Sequence, residues 1–324
     1  MSRKPDVDQH ALARLLSRVF GDSSPVLFER TPDGVSSQTY RLIRAGTAFF
    51  LRVAENATDN LQVDAEVHRR LRAVGARVPD VLHVEAFDDA LERSILIMTE
   101  IPGVSLARLQ DSEVARRVAE AAGVDAARFL EIAVDGFGWI RRDDPRASLR
   151  AELGDYASFV VSYMPATPAE RFDLVGSLFA RRHLDQIEHA IAEECRRPVP
   201  MGKLAHGDLD VTQIYCADGC YTGIIDFSEL RGAEPEFDLG HFLLHDGETI
   251  AHPLFKHFWR GYAATALVDM DEGLIRRSGV LSGFRQLCRW LSPERGLTTD
   301  SFMPRLRAAQ LANILDGRTA GLPR

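Results

Sequence analysis

The sequence predicts an α+β protein of two lobes, a small one built on an antiparallel sheet and a larger, mostly helical one. Three observations predict this. The first ~100 residues carry short β-branched and aromatic runs separated by turn residues. Pro102-Gly103 breaks that pattern. Beyond it, apolar residues recur mostly at helical spacing. A length of 324 residues with 45% hydrophobic content is enough for a substantial core and favours two units over one.

Residues 8–19, DQHALARLLSRV, predict a helix behind an acidic start. Residues 26–29, 39–44 and 48–54 predict antiparallel strands, with turns at Pro32-Asp33-Gly34 and Gly46. Residues 60–74 predict a helix that ends at Gly75. VPDVLHVEAF and RSILIMTEI predict two further strands, so one helix is inserted after the third strand. The lobes are expected to span 1–101 and 102–324. In the second, helices are expected over 104–121, 124–134, 154–164, 168–192, 237–246, 253–267, 272–291 and 303–316. The exception is 212–227, where two short strands flank Ala217-Asp218-Gly219.

Net charge is -8, which disfavours a nucleic-acid binder and is compatible with a cationic small molecule. No apolar run of transmembrane length occurs, and MSRKPDVDQH has no apolar signal region. Cys195, Cys216, Cys220 and Cys288 read as reduced thiols, so a cytoplasmic location is expected, as a monomer or homodimer without membrane partners. Lysine occurs only at 4, 203 and 256, and neither a Walker A pattern nor a complete GxGxxG is present.

The chemistry concentrates at 205–238. AHGDLDVTQI sets Asp208 in a glycine-containing loop that ends with Gln213; IIDF sets Asp226 at the exit of an apolar strand. The hairpin between them brings Gln213 towards Asp226. Phosphoryl transfer needs one carboxylate to accept the proton of the attacking hydroxyl and oxygen ligands for a metal that bridges the phosphates. On the residues alone, Asp208 is the candidate base and Asp226 with Gln213 the candidate Mg²⁺ ligands. The competing reading is that these are turn and capping residues.

His206-Gly207-Asp208, a five-residue step to Gln213, Ile224-Ile225-Asp226 and Pro235-Glu236-Phe237-Asp238-Leu239-Gly240 form an ordered set. That set resembles the aminoglycoside phosphotransferase family, which has the protein-kinase-like fold. The resemblance runs from about residue 26 to 246. It implies a bilobal small-molecule kinase that moves the γ-phosphoryl of ATP or GTP to a hydroxyl of an aminoglycoside-like or other natural-product or metabolite acceptor. Ser36 and Ser37, in the hairpin Gly34–Leu42, would approach the phosphates with Arg52. Glu66 would pair with Arg52, and Glu100 and Ile101 would offer main chain to the base. Asp208 would be the base, Gln213 and Asp226 would hold Mg²⁺, and His206 and Asp238 would support the loop. Two positions depart from the family pattern: Arg52 stands for its lysine and Gln213 for its asparagine. Gln213 keeps open a second reading, a nucleotide-binding kinase-fold protein without catalysis.

Four further groups have weaker claims. Asp238 opens a helix and would serve as its N-cap. His241 and His245 share a helix face but lack the HExxH glutamate, which favours a packed, hydrogen-bonded face over zinc. Glu229, Glu234 and Glu236 read as a solvated loop or as an acidic mouth for an amine-bearing acceptor. Trp139, Trp259 and Trp290 read as core or pocket lining.

Overall fold

A computed structural model describes residues 6–21, 26–31, 38–143, 148–250, 252–266 and 271–318. Its packing divides the chain into two units. The first takes Met1–Pro102, Arg141–Leu149 and Gly223–Ile225, and the second takes the remainder.

In the first unit, α1 (Gln9–Phe20) is followed by β1 (Leu27–Arg30), β2 (Gln38–Arg44), β3 (Thr47–Val53), α2 (Gln62–Ala73), β4 (Val81–Asp88) and β5 (Arg93–Thr99). The strands form one antiparallel sheet in the order β1-β2-β3-β5-β4. Asp8 caps α1 by accepting from the Ala11 amide, and Leu12, Leu15 and Leu16 at helical spacing bury against Tyr40, Leu42, Leu51, Ile95 and Ile97. On α2, Val63, Ala65, Val67 and Leu71 are buried, and so is Asp64.

The second unit opens with β6 (Val104–Ser105) and continues through α3 (Ser112–Ala127), β7 (Ala133–Val134), β8 (Phe137–Ile140), β9 (Ala151–Leu153), α4 (Tyr156–Val160), α5 (Pro168–Val175) and α6 (Arg181–Glu194). Then come β10 (Gly202–Ala205), β11 (Ile214–Ala217), β12 (Cys220–Ile224, its last two residues counted with the first unit), β13 (Arg231–Ala233), α7 (Phe237–His245), α8 (Phe255–Thr265), α9 (Glu272–Leu291) and α10 (Phe302–Leu315). Five short strands make a second sheet, β7-β10-β13-β8-β9, and a third runs β12-β11-β6.

The unit is mostly helical, but several expected helices differ. Residues 104–111 hold no α-helix: β6 pairs with β11, Leu106–Arg108 make one short 3-10 turn, and α3 starts only at Ser112, where Asp111 caps it. The stretch 168–192 is two helices, interrupted between Val175 and Arg181. The second sheet was not expected, because strands of two to four residues are too short for a period-2 pattern to register. Helices α7 and α9 cross at glycines: a Cβ on Gly240 would lie 2.4 Å from the Gly279 amide nitrogen, and one on Gly279 would lie 2.7 Å from the Gly240 carbonyl oxygen. No helix among the described residues is long and apolar enough to cross a membrane.

Candidate active site

In the second unit, β10 ends at Ala205 and the chain turns through His206-Gly207-Asp208. Gly207 has φ +88°, and a Cβ there would lie 1.9 Å from the Glu229 carbonyl oxygen, so glycine is required twice over. The loop is held by buried groups. The Asp238 carboxylate accepts from the main-chain amides of His206 (2.8 Å) and Gly207 (3.0 Å). The Asp208 amide donates to His206 Nδ1 at 3.3 Å, and the buried His206 ring packs on Phe227 with centroids 4.7 Å apart. Asp238 is not the N-cap: α7 begins at Phe237, and the Asp238 side chain faces the loop from the first turn. Burial raises the Asp238 carboxyl above its ordinary range, against the lowering effect of His206 and the two amides.

Asp208 itself keeps 46% side-chain exposure. Burial alone would raise its carboxyl, but His241, with His206 and His245, outweighs that and holds it below the ordinary range. The His241 Nε2 atom lies 3.4 Å from Asp208 Oδ1. At that distance no hydrogen bond is closed, and this buried nitrogen has no other polar partner among the described residues.

Asp210 builds the next turn. Its carboxylate accepts from the Thr212 amide at 2.7 Å and its carbonyl from the Gln213 amide at 3.2 Å. Gln213 therefore stands immediately before β11, and Asp226 stands two residues after β12, the neighbouring strand. Both lie at the open end of this hairpin. Asp226 has φ 63° and ψ 64°, a left-handed conformation uncommon for a residue with a side chain, and its exposed carboxylate caps nothing. A strained backbone that presents an uncommitted carboxylate suits a metal ligand better than a turn former. One carboxylate and one amide oxygen are a donor set that Mg²⁺ accepts, since it fills its remaining positions with water and phosphate oxygens. Among the described residues there is no cluster of three His, Cys, Asp or Glu, which the softer, all-protein metal sites would need.

The acidic-mouth reading fails. Glu234 and Glu236 are buried; Ser278 Oγ donates to Glu234 at 2.5 Å, and Arg197 Nη2 donates to Glu236 at 2.8 Å. Glu229 pairs with Arg231 at 3.1 Å, whose guanidinium lies 3.7 Å from the centre of the Trp139 ring. Burial lowers the Arg231 pKa to about 10. The histidine pair is a packed face: the rings stack 4.5 Å apart, and His245 is engaged by Glu248 and Arg307.

In the first unit, the expected partner of Arg52 is corrected. Glu66 pairs with Arg70 one helical turn on, at 2.7 Å. The acid at Arg52 is Asp64, 2.9 Å from Nη1, and Arg142 binds the same carboxylate through Nε (2.8 Å) and Nη2 (3.0 Å). Two residues along a helix is a rotation of ~200°, so only one of the two acids can face the sheet. Asp64 lies on the buried stripe with Val67, His68 and Leu71, and that spacing was the signal that could have found it. Full burial would raise the Asp64 carboxyl, but the charges of Arg142 and Arg52 hold it down at about 2. Nothing in the local sequence around Arg142 marks it as a partner of position 64. Glu100 follows β5 and pairs through its side chain with Arg41 at 2.7 Å, and Ile101 comes next in the segment that leaves the sheet. Ser36 and Ser37 lie outside the described residues.

The family model described as "Phosphotransferase enzyme family" matches residues 28–272. No curated protein matches the chain. Among solved structures, a thermostable mutant of aminoglycoside phosphotransferase APH(4)-Ia in complex with ADP and hygromycin B is similar, at 18% identity and a TM-score of 0.65, covering 96% of this chain and 100% of that one. Spectinomycin phosphotransferase APH(9)-Ia in complex with ADP and spectinomycin is similar at 14% identity and a TM-score of 0.62, covering 97% and 99%. An aminoglycoside-3'-phosphotransferase of type VIII is similar at 22% identity and a TM-score of 0.54, covering 85% and 98%. These likenesses carry the fold.

Proposed function

Because the chain belongs to the phosphotransferase enzyme family, we propose that it transfers the γ-phosphoryl group of ATP or GTP to a hydroxyl of a small natural product or metabolite, with Asp208 as the base. The observation that carries this reading is the Asp208 loop. Its main chain is fixed by Asp238 and His206, while the Asp208 carboxylate stays ionised and reaches solvent.

In the proposed step, Asp208 orients the acceptor hydroxyl and takes its proton as the oxygen forms a bond to the γ-phosphorus. The bond from that phosphorus to the β-phosphate oxygen breaks, and the nucleoside diphosphate leaves with the electron pair. Gln213 and Asp226 would hold Mg²⁺, which supplies charge neutralisation for the phosphates. Arg52 would hold phosphate oxygens, with Asp64 and Arg142 fixing its head group. Glu100 and Ile101 would offer main chain to the nucleobase. The acceptor class is open, since the acids at 229, 234 and 236 are committed to Arg231, Ser278 and Arg197 rather than to an amine.

The test is phosphoryl transfer by wild type and Asp208→Ala across a panel of hydroxylated compounds, with calorimetry of Mg-ATP and Mg-GTP. Transfer to one compound that disappears in the variant is the expected result. Failure of the wild type to bind either nucleotide would overturn the reading. Nucleotide binding without transfer to any compound would favour the non-catalytic reading that Gln213 keeps open.

A further inference from the structure

His241 has no place in the step just described. It is 4% exposed, and its Nε2 atom, fully buried and without a hydrogen bond among the described residues, lies 3.4 Å from Asp208 Oδ1. A buried imidazole nitrogen left unpaired carries a desolvation cost, so the site is built for a contact that closes. Closing it needs a movement of only a few tenths of an ångström.

The surroundings fix how His241 can act. Its ring stacks on His245, with centroids 4.5 Å apart and planes 28° apart. His245 Nε2 accepts from Arg307 Nη2 at 3.2 Å, so His245 Nδ1–H donates to Glu248 at 2.8 Å and the ring is neutral. Gln310 donates to the same Glu248 carboxylate at 3.0 Å, which ties α10 to the end of α7. Burial lowers both histidines below the ordinary imidazole range. A neutral His241 has one N–H to give. The charged and titratable groups that face Asp208 are His206 from its own loop, His241 and His245 from α7, and Arg307 from α10.

We propose that His241 is a positioning residue for the base: its Nε2–H donates to Asp208 Oδ1, fixing that oxygen and leaving Oδ2 to receive the hydroxyl proton. The geometry favours this over plain packing. Asp238, which braces the loop main chain, and His241, which faces the Asp208 side chain, lie three residues apart on one helix face. One helix thus sets both the backbone and the carboxylate of the reacting residue. His241 contacts neither substrate nor phosphate in this scheme; it acts through Asp208. The proposal rests on Asp208 being the base, but the contact can be measured without that assumption.

The experiment is a carboxyl carbon-13 NMR titration of the full-length, aspartate-labelled protein, with the Asp208 signal assigned by its loss in Asp208→Asn. The titration midpoint of Asp208 should rise in His241→Leu and return towards wild type in His241→Gln, which retains a donor. An unchanged midpoint in His241→Leu overturns the proposal. Should His241→Leu fail to fold, the reciprocal measurement decides: the His241 ring-proton midpoint should fall in Asp208→Asn relative to wild type, and equality of the two overturns the proposal. With an accepting compound in hand, kcat should drop about tenfold in His241→Leu and recover to within about threefold in His241→Gln, with the nucleotide KM unchanged. Neither titration uses nucleotide or acceptor, so lack of transfer by the wild type would count against the function and not against the contact.

Discussion

Asp64 and Asp208 are both held ionised below their ordinary range, by opposite means. Asp64 has no solvent exposure and is clamped by two guanidiniums, Arg52 and Arg142. Asp208 is nearly half exposed, is fixed mainly through its backbone, and has an imidazole, His241, beside its carboxylate. A carboxylate whose lone pairs are spent on arginines cannot accept a substrate proton; one with a free oxygen at the surface can. The difference separates a carboxylate that sets architecture from one that is available for chemistry.

The comparison breaks most sharply at Asp208. Asp208→Ala should cost about a thousandfold in phosphoryl transfer while leaving thermal stability and nucleotide binding near wild type, as turnover, melting and calorimetry on one preparation would show. Asp64→Asn should instead destabilise the first unit by about 3 kcal/mol in urea unfolding, because the partly buried guanidiniums of Arg52 and Arg142 lose their fully buried counter-charge. The pH dependence follows. The folded Asp64 pKa, about 2, lies below its ordinary value of 3.8, so its contribution is complete above that value and is lost as pH falls through about 2. Acid unfolding of wild type should show this loss, and Asp64→Asn should not. Gln213→Ala should raise the Mg²⁺ concentration needed for half-maximal turnover by about tenfold, read from a metal titration at saturating nucleotide. Glu66→Ala should be nearly silent, at about 0.3–0.5 kcal/mol, since it removes only a surface pair with Arg70. A large effect at Glu66 and a small one at Asp64 would return the pairing with Arg52 to Glu66.

What the sequence revealed follows how local each determinant is. The His-Gly-Asp loop, the 214–224 hairpin and the first sheet were legible, because each is specified by neighbouring residues, by glycine at a forced turn or by alternation along a strand. The choice between Asp64 and Glu66 required the helical phase of α2, which its apolar stripe does encode. The fate of Glu234 and Glu236 was not legible, since their partners Ser278 and Arg197 lie some forty residues away in the chain and are brought in by packing. The same holds for Arg142 at Asp64 and for Arg307 at His245. The short strands of the second sheet failed for a different reason, having too few residues to display any period.

The α7–α9 crossing has a consequence for how damage to this protein would be diagnosed. Because Gly240 and Gly279 meet backbone to backbone, the helix that carries Asp238 and His241 is seated by the absence of a methyl group on a helix that carries no proposed catalytic or binding residue. An alanine at 279 would have nowhere to go except into α7, displacing the brace of the Asp208 loop. Such a variant would look like an active-site lesion in turnover and like a harmless substitution in every inventory of contacts with substrate, and only its lowered melting temperature would tell it from Asp208→Ala. A loss of activity that maps to Gly279 would then be a fault of spacing, curable by restoring a hydrogen atom and by nothing done to the site itself.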